Sequence, residues 1–329
     1  MHTNLVLQTP VYDPLLCQTA LPYRAVFYPL GYPVAVTTNY KPVIQAGEHL
    51  WGREISLWDK PAVELRLAVG GAGLQPDERP RPQMPRAQGH LLSIVHDAAN
   101  FAVCNLEAGF GFGWFTPAVA TDPAYFRYHF LEPLAYMTLE SLYLTQIHGA
   151  CIALRGQGVL LCGDTHAGKT TLSYACARRG WTYVADDASH LVRESRDRVI
   201  VGRPYQIRLR VDARALFPEL GEYEPVERPN GKPSLELDTA GLGLTQARQV
   251  AARYIVFLNR DTDLQRLSRY SRNDAYDRLS QVICFGTEAV QEEQRQTLRD
   301  LLTLPLYQID YRDLDWAEGC LRSLVENGA

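Results

Sequence analysis

The segment Gly163 to Thr171, GDTHAGKTT, carries the spacing G-x-x-x-x-G-K-[ST], and a little further along two carboxylates stand side by side at Asp186 and Asp187. Each residue type has a chemical use. Glycines at 163 and 168 let the backbone of Gly163, Asp164, Thr165, His166, Ala167 and Gly168 turn its N–H groups inward, where a following helix N-terminus adds its own amides to an anion cradle. Lys169 adds a mobile positive charge for the β- and γ-phosphates of a nucleotide, the Thr170 hydroxyl can ligate Mg²⁺, and Thr171 continues the first helical turn. One member of the aspartate pair suits the divalent cation, and the other is free to accept a proton from an attacking hydroxyl. The plainer reading of the pair is a turn cap after a strand. His166 stands where glycine is common; it reads as a solvated residue, with a lean over the phosphates as the alternative. His148 is by itself a core or capping histidine, and gains a role only if the fold brings it beside the carboxylates to hold or tune the base.

The loop needs a strand before it and a helix after it, and the sequence supplies both. GVLLC is a short buried strand; Thr170 to Arg179 reads as a helix stopped by Gly180; WTYVA is the strand that ends at Asp186. Ahead of the loop, IHGACIAL and GVLLC form two strands hinged at Arg155 to Gly158. Beyond the pair, HLVRE and VIVGRPYQIRLR flank a polar turn at Ser195 to Arg198, YIVFL suits a central strand, and helical patterns occupy 273–285, 288–303 and 313–326, with YQIDY between the last two. Residues 1 to about 120 show short alternating runs (AVELRLAV, LLSIVHD, FAVCNLE) that predict an antiparallel sheet, broken by a Pro/Gly/Arg-rich loop over 70–89. The stretch from 123 to 146 predicts a helix interrupted at Pro133. The expected organisation is therefore α/β: a β-rich part over 1–122 and a phosphate-loop domain over 123–329.

Composition bounds the partners. The chain has 329 residues, 46% hydrophobic and 21% charged, with a formal net charge of −4. That leaves no basic excess for nucleic acid. No stretch approaches the roughly 18 apolar residues of a membrane span, and MHTNLVLQTPVYDP has no cationic start before an apolar run, which points to the cytoplasm. Seven cysteines, none in C-x-x-C spacing, argue against a disulfide framework or structural zinc. Only four lysines are present (Lys41, Lys60, Lys169 and Lys232), so one inside a glycine-rich loop is not background.

The run IHGACIALRGQGVLLCGDTHAGKTTLSYACARRGWTYVADD, Ile147 to Asp187, resembles the catalytic core of HPr kinase/phosphorylase and its related kinases. That family has a His-Gly before a short hairpin, a G-D-S-G-x-G-K-S/T loop, a helix ending in Arg-Gly and a strand ending Ala-Asp-Asp. The resemblance implies a fold related to phosphoenolpyruvate carboxykinase, ATP and Mg²⁺ held by Lys169 and Thr170, Asp187 as the base for a serine hydroxyl, and Asp186 and His148 supporting the metal and the base. Weaker similarity, through PNGKPSLEL, YIVFL and PLYQIDYRDLDWAEGCLRSL, extends to HPr-kinase-like proteins of modified-peptide biosynthesis, lasso peptides included. The family's glycine-rich signature with its metal-binding glutamate is not found after the aspartate pair, where VGRPYQIRLR stands instead; this leaves open whether the reverse, phosphorolytic reaction occurs. The N-terminal half does not resemble the family's regulatory domain, so HPr is a poor guess for the acceptor.

The expectation is an ATP-dependent kinase acting on a hydroxyl, in first place a serine of a peptide or small protein, such as a ribosomally made precursor. A nucleotide sensor without chemistry and a small-molecule kinase stay open beside it. Related kinases assemble into hexamers, which keeps a homo-oligomer open, although no helix has a heptad pattern. Lys232 and Arg203 are lesser candidates for phosphate or substrate contact, each equally readable as an exposed charge.

Overall fold

A computed structural model describes residues 15–70, 80–227, 233–260 and 262–328. The N-terminal MHTNLVLQTPVYDP, residues 71–79 of the loop expected at 70–89, and Lys232 with the PNG before it lie outside the described residues. Contacts divide the chain into two compact units, one comprising residues through Leu142 with Phe285–Val290, the other Tyr143–Cys284 with Gln291–Ala329. The sequence reading placed the division at 122/123, whereas the contacts group the helical residues through Leu142 with the first unit.

The first unit runs β1 (Tyr23–Phe27), β2 (Val34–Thr38), α1 (Lys41–Trp51), β3 (Val63–Val69), β4 (Arg86–Gln88), β5 (Leu91–Asp97), β6 (Asn100–Asn105), β7 (Phe110–Phe115), α2 (Pro117–Ala120), α3 (Pro123–Phe126) and α4 (Glu132–Leu142). Its seven strands lie in the order β1-β2-β3-β7-β6-β5-β4. The sheet is mixed, which corrects the antiparallel expectation: β2 pairs with β3, and β3 with β7, in parallel. Parallel neighbours need a crossover, and α1 supplies the first one by burying Val43, Ile44, Ala46 and Trp51. β4, inside the stretch read as loop, pairs with β5. The helix expected over 123–146 is in pieces: α3, a π-helical turn at Arg127–Leu131, then α4, with Leu144 onward already in strand. Pro133 has no N–H to continue an α-helical ladder, and a π turn absorbs the break.

The second unit continues with β8 (Leu144–Leu154), β9 (Gln157–Cys162), α5 (Lys169–Arg178), β10 (Thr182–Ala185), β11 (Ala188–Val192), β12 (Val199–Val201), β13 (Gln206–Arg210), β14 (Val226–Glu227), β15 (Pro233–Asp238), β16 (Gln249–Asn259), β17 (Arg266–Arg269), α6 (Arg272–Leu279), α7 (Glu288–Leu301), β18 (Leu306–Asp310) and α8 (Leu314–Asn327). β8 and β9 make the expected hairpin around Arg155 and Gly156, both at positive φ, as a two-residue turn joining right-twisted strands requires. β9 then pairs in parallel with β16, and β16 with β18. Both faces of these three strands are covered. Leu160 and Cys162 pack with residues of α6 and α7 (Ala275, Leu279, Leu298, Leu301), whereas Val159 and Leu161 pack with residues of α5 and α8 (Leu172, Cys176, Leu321, Leu324). This explains GVLLC as an unbroken apolar run. Each such side chain contributes about 1.5–3 kcal/mol by burial, so the loop leaves a rigid strand. The protein is α/β as its sequence suggests, and no helix among the described residues is long and apolar enough to cross a membrane.

Candidate active site

The end of β9 passes directly into the loop, and the loop into α5, with Gly168 as the helix N-cap at φ +93. Three ties hold the loop. Tyr311 donates its hydroxyl to the Ala167 carbonyl at 3.3 Å, Arg278 of α6 pairs with Asp164 at 2.5 Å, and Arg210 of β13 donates to Nδ1 of His166. His166 is exposed at φ +74, an uncommon backbone for a residue with a Cβ. Its ring is thus engaged by an arginine, with Nδ1 unprotonated to accept.

A side chain at Gly168 has no room. A Cβ there would lie 2.8 Å from the Tyr311 hydroxyl and 2.9 Å from Cδ of Arg260, and the left-handed φ adds strain. Gly168→Ala is expected to lower stability by about 1–3 kcal/mol and to weaken nucleotide binding at least about tenfold; thermal unfolding and a titration with ATP measure the two effects.

Lys169 is buried, at 6% exposure, and its Nζ lies 2.9 Å from the Gly163 carbonyl, 3.2 Å from the Asp164 carbonyl and 3.1 Å from Nε2 of His148. An ammonium has three protons and no acceptor, so these contacts use all of them and Nε2 must accept. The His148 proton therefore sits on Nδ1, which faces Oδ1 of Asp187 at 3.6 Å; Lys169 Nζ is 4.0 Å from the same oxygen. His148 reaches this place because β8 pairs with β11, setting His148 opposite Ala188, the residue after the aspartates. The sequence candidates Lys169, His148 and Asp187 thus converge.

Asp186 faces the other way. Its Oδ1 accepts from the Thr170 hydroxyl at 2.5 Å and its Oδ2 from the Arg208 amide at 3.0 Å. The surrounding protein penalises its charge and pushes its pKa up to about 6, against the pull of those two hydrogen bonds. Thr170 and Asp186 hold each other where a divalent cation would take an oxygen from each. Among the described residues no three His, Cys, Asp or Glu side chains converge as a ready metal cage. A hard cation that keeps waters and takes phosphate oxygens, as Mg²⁺ does, needs only such a pair.

The raised pKa sets the sign of two pH effects. An unfolded aspartate loses its proton near pH 4, whereas the folded Asp186 keeps its own until about pH 6. The group therefore favours the folded state at low pH, and this contribution disappears as pH rises through 6. Cation binding requires the ionised form and is expected to weaken as pH falls below about 6; Mg²⁺-dependent nucleotide titrations between pH 5 and pH 8 would reveal it.

Several neighbours were not singled out from sequence. β13 and β15 pair in a small sheet whose Ile207, Leu209, Leu235 and Leu237 pack with Tyr174, Ala177 and Tyr183, leaving Gln206, Arg208 and Arg210 on the opposite face. That packing delivers the Arg208 amide to Asp186. Glu236, opposite Arg208 on β15, accepts from Gln206 at 2.8 Å and pairs with Arg208 at 3.4 Å, placing a third carboxylate one strand away from Asp186. The alternation in QIRLR and SLELD was the available signal. Arg203 lies half-buried between β12 and β13, where its charge acts on the buried Tyr183 phenol.

Residues 141–216 match the family model described as the HPr Serine kinase C-terminal domain. An HPr kinase/phosphorylase from Halalkalibacterium halodurans is 33% identical over 72 residues, covering 22% of this chain and 23% of that protein. The solved structure of the Hpr(Ser) kinase/phosphatase from Coxiella burnetii aligns at 16% identity over 55% of this chain and 94% of that one, with a TM-score of 0.29. Across residues 141–216, which carry the loop, the lysine and the aspartate pair, the chain is HPr kinase-like.

Proposed function

We propose that the protein is an ATP-dependent kinase that transfers the γ-phosphoryl group to a hydroxyl, in first place that of a serine on a peptide or small protein. The observation that carries the reading is the convergence of Lys169, His148 and Asp187 beside a Thr170–Asp186 pair at the mouth of one glycine-turned loop. In this reading the loop amides and Lys169 hold the phosphate chain, with Lys169 exchanging carbonyl partners for phosphate oxygens. Mg²⁺, held through Thr170 and Asp186, would neutralise charge on the phosphate oxygens. Asp187 accepts the proton of the acceptor hydroxyl as its oxygen forms the new bond to phosphorus and the bond from phosphorus to the leaving ADP oxygen breaks. His148, whose Nδ1 faces the Asp187 carboxylate at 3.6 Å, helps keep that carboxylate oriented toward the acceptor. Most of the acceleration in such a reaction comes from placement and charge neutralisation.

The side chain of Asp187 is 69% exposed. A base that open can be reached by a serine carried on a polypeptide, which favours a macromolecular acceptor over an enclosed metabolite. In this reading the reaction draws on the ATP of the cytoplasm, and the acidic net charge speaks against a nucleic-acid partner. The test is ADP release measured with and without Ser-containing peptides. Acceptor-dependent release supports the kinase; tight binding of ATP with no release under any acceptor would point to a nucleotide sensor.

A further inference from the structure

Lys169 brings a single positive charge to the loop and a triphosphate carries several negative ones, so part of the charge that holds it has to come from elsewhere. Arg260 is the first residue beyond β16, the strand between β9 and β18, at the carboxyl edge of the three parallel strands. That edge is where open α/β sheets receive ligands. The Arg260 guanidinium lies 5.8 Å from the centre of the Tyr311 ring, a fully buried phenol. A Cβ on Gly168 would stand 2.9 Å from Arg260 Cδ and 3.4 Å from Nη1, so the guanidinium rests against the last glycine of the loop.

Several arginines of this unit have carboxylate partners: Arg266 with Asp310, Arg278 with Asp164, Arg312 with Asp263, Arg210 with Asp212. Arg260 is half-buried and, among the described residues, makes no ion pair. Stacking on an aromatic face orients a guanidinium but does not neutralise it. We propose that Arg260 is a second phosphate-binding cation of this site, oriented by Tyr311 and donating to an oxygen of the nucleotide's phosphate chain. The inference rests on the nucleotide-binding reading above and adds to it a residue from outside the loop.

The test is a calorimetric titration of the full chain with ATP·Mg²⁺ and, separately, with tripolyphosphate, which has the charge but no base. Arg260→Ala, Arg260→Gln, Lys169→Ala and the exposed control Arg312→Ala are compared. Arg260→Gln keeps the stem against Gly168, and thermal unfolding of each variant shows that it is folded. Loss of one charge-assisted hydrogen bond is expected to weaken both ligands about ten- to a hundredfold in the two Arg260 variants, with Arg312→Ala unchanged. Unchanged binding of both ligands in the Arg260 variants, with binding lost in Lys169→Ala, would overturn this inference and leave the nucleotide reading standing. Weakening of ATP alone would make Arg260 a base-stacking residue and also overturn it. If the unmodified protein binds neither ligand, both readings fall together.

Discussion

Asp187→Asn is expected to bind ATP·Mg²⁺ as the unmodified protein does and to transfer its phosphoryl group about 10²- to 10⁴-fold more slowly, the usual contribution of a positioned general base. The Asp187 carboxylate makes no contact that holds the loop together: it is largely exposed, 3.6 Å from Nδ1 of His148 and 4.0 Å from Lys169 Nζ. An asparagine amide fits the same space but cannot accept a proton at neutral pH. Paired measurements of ATP affinity and of the acceptor-dependent rate separate the two effects. A variant that transfers at the full rate would remove Asp187 from the mechanism.

Lys169→Ala should fail earlier, at binding. Its ammonium is the positive charge at the centre of the loop, and removing it also strands the Gly163 and Asp164 carbonyls, both within 3.2 Å of it. Losing charged hydrogen bonds worth about 1.5–3 kcal/mol each should weaken ATP at least about a hundredfold, with a fall in stability of about 1–3 kcal/mol from the unpaired loop groups. Lys169→Arg is not expected to restore binding, because a planar fork cannot reach three acceptors arranged around a point charge. Calorimetry and thermal unfolding read these outcomes, and an affinity close to that of the unmodified protein would contradict the placement of phosphate on this loop.

The parts of the site legible in the sequence are those made by neighbours along the chain. GVLLC, the glycine-bounded loop, the helix stopped at Gly180 (φ +87) and the strand ending at Asp186 each follow from local patterning, and all are present. The meeting of His148 with Asp187 could be raised from the sequence only as a condition, with its role given by the resemblance, because it depends on the pairing of β8 with β11. Arg210, Arg260 and Arg278 lie far along the chain from the loop and reach it through sheet and helix packing, which leaves no local mark. The parallel pairs of the first sheet escaped for a related reason. Alternation in VELRLAV specifies a half-buried strand but is silent on the direction of its neighbour, and α1, the crossover that allows a parallel one, is a single short amphipathic stretch opening on Lys-Pro.

Mass spectrometry of the acceptor tests the central claim most directly. The full chain is incubated with ATP, Mg²⁺ and Ser-containing peptides, with Asp187→Asn in parallel. The account predicts a gain of one phosphate on a serine that requires Mg²⁺ and disappears in the variant. A protein that binds ATP yet leaves every peptide unmodified, with no ADP formed, would contradict it.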